Sequence, residues 1–126
     1  MTRYNYNRTA TPSAPFVHVT IFATDGSGRS SEWPAQVDCG ADKTILPREV
    51  VDELGLTPGG EFAAMGLGGS VTHLPSFLIQ VAIRQKDPIR IEAAASPDEP
   101  YVLLGRDVLN NYRILLDGPG LVLQID

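Results

Sequence analysis

"QVDCGADKTILP", Gln36 to Pro47, leads an apolar run into a carboxylate and then turns. Gly40 supplies a backbone freedom that a Cβ would obstruct. The small residues on either side of it, Cys39 and Ala41, let another segment of chain come close. Asp38 is thereby presented beyond a strand end, among backbone amides. A lone buried carboxylate is costly, so a reactive acid here requires a partner or a proton. Taken alone, Asp38 reads first as a turn aspartate that caps neighbouring amides. Just upstream, "WPAQVD" reads as a strand. Just downstream, "LPREVVDELGL" has Val50, Val51 and Leu54 at helical spacing, Pro47 near the start and Gly55 past the end, which predicts a short helix.

The rest of the chain reads mostly as strands. Residues 1–14 are polar and predict a loose arm ahead of a single domain over 15–126. "FVHVTIFA" (Phe16–Ala23) is β-branched and aromatic, a strand signature. "TDGSGRSSE" is a turn cluster. "TPGGEFAAMGLGGSVTHLPSFLIQVAI" is a long β-rich stretch with a glycine-dense middle. "IRIEAAA" is another strand and "SPDEP" a loop. "YVLLGRDVLNNY" starts as a strand and turns at Gly105 into a short helix, and "RILLD", "GPG" and "LVLQI" make a closing hairpin. Short strands with one or two small helices predict a mostly-β, closed barrel-like domain.

Composition narrows the function. With 126 residues the chain has room for one core. Its 43% hydrophobic and 20% charged content is that of an ordinary globular domain. The net charge of −5 and the lack of any Lys/Arg cluster argue against nucleic-acid and anionic-membrane partners. One cysteine makes no internal disulfide. The start lacks the apolar segment of a secretory signal, and no run approaches membrane-spanning length. A cytoplasmic enzyme or binding domain is the expectation.

Together, "VDCGAD" and "LLGRDVL", with the glycine-rich "AAMGLGGSV" between them, resemble the retroviral-type (retropepsin-like) aspartic proteases, in the cellular and bacterial branch where a helix follows the first motif. The resemblance spans roughly residues 15 to 125. It implies a closed β fold with one flap hairpin per chain, no metal and no cofactor. It also implies a peptide or protein substrate and a homodimer. Only one Asp-Xaa-Gly stands in a site-like context, since "TDGSG" (Thr24–Gly28) lies in a turn cluster. The second catalytic carboxylate is then Asp38 of another copy. The alternative is a non-catalytic relative that binds peptides or mediates dimerisation.

By the same resemblance, Gly40, Ala41 and Asp42 contact substrate, and Met65, Gly66, Leu67, Gly68 and Gly69 form the flap. A bulged hairpin with no such role is the plainer reading of those glycines. Arg106 pairs with Asp42, an ion pair expected to be partly buried, where loss of one partner costs on the order of 3–5 kcal/mol. Gly105 allows close packing at its turn. Asp107 reads as a helix-dipole residue. The family usually carries threonine or serine where this chain has Cys39, whose thiol is a weaker donor at the dimer centre. A nucleophilic Cys39 lacks a base, because no motif links it to His18 or His73. Leu46, Leu67 and Ile83 are candidate pocket walls, His73 a polar strand residue, and Trp33 a packing residue at a strand start. Viral relatives interleave their chain ends; "LVLQID" suits this, although the arm lacks apolar alternation.

Overall fold

The computed structural model describes residues 2–126. Its elements in chain order are β1 (Thr2–Asn5), β2 (Phe16–Ala23), β3 (Ser30–Val37), β4 (Ile45–Pro47), α1 (Arg48–Leu54) and β5 (Gly60–Met65). After a single 3₁₀ turn, Leu67–Gly69, come β6 (Val71–Ile83), β7 (Ile89–Ser96), β8 (Val102–Leu104), α2 (Arg106–Leu109), β9 (Ile114–Asp117) and β10 (Val122–Ile125).

Period-two burial builds the barrel. Val17, Val19 and Ile21 of β2 point inward, as do Phe77, Ile79, Val81 and Ile83 of β6. The strand order is β2-β3-β8-β4-β7-β6, and pairing of β2 with β6 closes six strands into a ring. This is the closed, mostly-β fold expected, with two short helices. β5 pairs only with β6, so β5 and the first half of β6 form a hairpin that leaves the ring. Helix α1 ends as expected: Gly55 adopts φ 60°, ψ 39° and its N–H returns to Asp52 and Val51. Val50 and Leu54 bury the inner face of α1.

Three expectations are corrected here. The segment 1–14 is not a loose arm throughout: Thr2–Asn5 pairs with β10, Tyr4 is buried, and Asn7 bridges Ala14. The sequence does not announce this strand because only Tyr4 of the four residues is apolar. The C-terminal strand is not free to interleave either. It sits between β1 and β9 in a three-stranded sheet, with both edges already hydrogen-bonded, while Leu123 and Ile125 pack into the common core. Trp33 is not at a strand start, because β3 begins at Ser30; the indole is half-buried and donates to Ser31 Oγ at 2.8 Å.

Candidate active site

The two sequence motifs meet because β8 runs between the strands that the Asp38 turn connects. β8 pairs in parallel with β3, placing Val37 opposite Leu104, and antiparallel with β4, placing Ile45 opposite Leu103. The 38–44 turn therefore arches over the end of β8. Its backbone is tied down on both sides. Asp38 N–H donates to the Leu104 carbonyl at 3.0 Å, and Arg106 N–H to the Ala41 carbonyl at 2.9 Å.

Gly105 lies directly beneath the arch. A Cβ on it would stand 2.5 Å from the Lys43 carbonyl carbon and 2.9 Å from the Thr44 nitrogen. Close approach, not a special φ, is what demands glycine there. Gly40 is also a matter of space: its Cβ would lie 3.3 Å from Asp38 Oδ1, the atom that accepts the Gly40 N–H at 3.1 Å. Asp38 is half-buried and Cys39 exposed.

Arg106 forms the expected pair with Asp42 and also donates to the Cys39 carbonyl at 2.7 Å. The expected burial of the pair is not found in the single subunit. The Asp42 side chain is 81% exposed and that of Arg106 40%. Solvent screens such a pair, which then contributes about 0–1 kcal/mol rather than the cost expected of a buried one.

The buried polar link is elsewhere. Thr44, with no exposed surface, donates its Oγ1 hydroxyl to Asp107 Oδ1 at 2.7 Å and accepts the Gly105 N–H at 3.1 Å. Both Asp107 oxygens accept the Thr44 N–H, at 3.1 and 3.0 Å, and Oδ1 also accepts the Val108 N–H. Asp107 thus clamps α2 to the turn, beyond the helix-dipole role read for it. Sequence reasoning missed Thr44; the one local signal was a hydroxyl residue two positions after Asp42. Thr44→Val is expected to cost about 1–3 kcal/mol by leaving the buried Gly105 N–H unpaired. Urea midpoints check this, and Thr44→Ser should recover most of the loss.

Two cavities lie under the hairpin and share Ile45, Ala64, Met65 and Leu74. One, about 460 Å³, borders the turn at Gly40, Ala41, Asp42 and Lys43. The other, about 750 Å³, opens between α1, the hairpin with Met65 and Gly66, and the loop at 97–101 that joins β7 to β8. The Lys43 ammonium stands 5.0 Å over the Phe62 ring and connects turn to hairpin. At the tip, Gly68 and Gly69 take φ of 82° and 81°, a left-handed conformation that glycine tolerates. Leu67 is fully exposed there. His73 is an exposed residue of β6, 3.4 Å from Glu61.

Leu46 and Ile83 are corrections. Neither exposes any surface, so both belong to the core. Ile45, one residue away, faces both cavities instead, and a three-residue strand is too short for sequence to reveal its facing. The "TDGSG" aspartate is a turn residue: Asp25 accepts the Ser27 N–H and pairs with Arg29 at 2.6 Å.

Residues 27–111 match the family described as "gag-polyprotein putative aspartyl protease". The chain belongs to the retropepsin-like aspartic protease family. Solved structures agree on the fold of this retropepsin-like chain. A retropepsin-like aspartic protease from Rickettsia conorii superposes with a TM-score of 0.68 at 17% identity, over 98% of this chain and 88% of that one. The EIAV protease, solved with the inhibitor HBY-793, gives 0.58 at 21% identity over 78% and 86%. The retroviral protease-like domain of Ddi1 from Leishmania major gives 0.52 at 17% over 88% of each. No curated protein matches the retropepsin-like chain significantly. Among its described residues, no helix is long and apolar enough to cross a membrane.

Proposed function

We propose that the protein is a homodimeric aspartic endopeptidase in which two Asp38 side chains, one from each subunit, face each other across a twofold axis. The observation that carries this reading is the anchored turn. The Leu104 carbonyl holds the Asp38 N–H and the Arg106 N–H holds the Ala41 carbonyl, so the turn is fixed at both ends, yet Asp38 stays half-exposed and the residues after it, Gly40 to Lys43, border the groove under the hairpin. A rigid acid on an open face is suited to meeting its own symmetry mate.

Two carboxylates about 3 Å apart do not both ionise easily, so one proton is shared between them. The ionised member takes a proton from a bound water while the protonated member donates to the peptide carbonyl oxygen. The water oxygen bonds to the carbonyl carbon. The C–N bond then breaks as the amine takes a proton from one acid of the dyad while a hydroxyl of the tetrahedral intermediate gives its proton to the other, which releases the acid product and restores the shared proton; no acyl-enzyme forms. The substrate lies extended beneath two hairpins acting as flaps, held by main-chain hydrogen bonds with alternate side chains in the cavities. Met65 and Gly66 of the flap, with Gly40, Ala41 and Asp42 of the turn, line its path, and Leu67, Gly68 and Gly69 form the tip.

A second reading, a peptide-binding or dimerisation module without catalysis, is favoured by one observation. Cys39 is exposed beside Asp38 and offers only a weak donor across the axis. Peptide hydrolysis between pH 4 and 7, followed against protein concentration with sedimentation in parallel, separates the two. Specific activity is expected to rise with the dimer fraction. Hydrolysis by a strict monomer overturns the shared dyad, and a confirmed dimer that cleaves no peptide of a broad library leaves the binding module.

A further inference from the structure

The larger cavity is lined by three acids, Asp52, Asp98 and Glu99, against one arginine, Arg48, an excess of two negative charges. Glu99 and Asp98 enter it from the loop after β7, and Glu99, only partly exposed, has no hydrogen bond or ion pair to any described residue. Burial pushes the Glu99 carboxyl above the ordinary range, and the charges of Asp98 and Asp38 push it further. Across the cavity, Arg48 and Asp52 sit one turn apart on α1 and cancel in formal charge, while His73 on β6 stands beside Glu61. The rest of the wall is mostly apolar, with Ile45, Val51, Leu56, Leu74 and Phe77, and carries the hydroxyl residues Ser70, Thr72 and Ser96.

A ligand group that suits this space has a long apolar stem and a cationic end. The stem covers the aliphatic wall and the end sets a positive charge against Glu99 and Asp98. Ile45, Ala64, Met65 and Leu74 also line the cavity bordering the Asp38 turn, so the two spaces are neighbours. From the cavity's shape and its unbalanced acids, we infer that Glu99 selects substrates with a lysine or arginine side chain beside the scissile bond. The inference rests on the cleft being a substrate cleft, as proposed above. In the symmetric dimer the same pocket stands on each side of the dyad.

The test uses extended decapeptides identical except for lysine or norleucine at either residue flanking the central bond, as cleavable peptides and as reduced-amide, non-cleavable ones. Calorimetry of the non-cleavable pair is expected to show lysine bound about tenfold more tightly than norleucine by the wild-type protein, equivalent to roughly 1.4 kcal/mol. In Glu99→Gln the ratio is expected to fall below about threefold. Equal affinities in the wild type, a lysine preference unchanged in Glu99→Gln, or no binding of either peptide overturns the inference. Lysine-selective binding without hydrolysis supports it and overturns the peptidase reading. Hydrolysis without charge preference does the reverse.

Discussion

Asp38→Asn is expected to lower kcat/KM for peptide hydrolysis by at least about 10²–10⁴-fold, with little change in stability. Asparagine has nearly the same shape, and its side-chain oxygen can still accept the Gly40 N–H that Asp38 Oδ1 accepts at 3.1 Å. The backbone anchors to Leu104 and Arg106 do not involve the side chain. What is lost is the proton traffic, because an amide neither takes a proton from water nor gives one to the carbonyl oxygen. Mixing sharpens the prediction. If one Asp38 comes from each subunit, an equal mixture of wild-type chains and chains carrying Asp38→Asn leaves about a quarter of the activity, since only one random pairing in four has two acids. Two independent sites would leave half. Hydrolysis that survives the substitution refutes the mechanism.

Gly105→Ala is expected to destabilise the fold by about 3 kcal/mol or more, a fall in Tm of roughly 10 °C. The new methyl would meet the Lys43 carbonyl carbon at 2.5 Å, its oxygen at 2.6 Å and the Thr44 nitrogen at 2.9 Å. All three are backbone atoms, so no rotamer change relieves the contact. The arch over β8 must lift, and lifting it strains the bonds from Thr44 to Gly105 and Asp107. The residual folded protein should lose activity as well, because Asp38 rides on the same arch. Chemical denaturation measures the first effect, and a midpoint equal to wild type would show that the turn is not held this closely.

Much of this was legible because the deciding features are local. Val17, Val19 and Ile21 alternate within one strand, and Pro47 and Gly55 bracket one helix. "VDCGAD" and "LLGRDVL" each carry their own turn glycine. The parts that were not legible depend on partners far along the chain. Thr44 and Asp107 are separated by 63 positions, and a hydroxyl residue just after Asp42 does not by itself name its partner. β1 is a strand because β10 offers it an edge, not because Thr-Arg-Tyr-Asn favours one. The Asp42–Arg106 pair is legible in the two motifs, but its exposure is a property of the surface around it. The unbalanced state of Glu99 emerges only once α1, the hairpin and the 97–101 loop surround one space.

The enclosed position of β10 bears on how such an enzyme would be switched on. On the proposed dimer reading, a terminal strand paired on both edges within its own subunit needs no mate to pair it. Assembly then becomes a docking of finished parts. On that same reading, dilution would leave a folded, silent reserve, and a rise in local concentration would wake it.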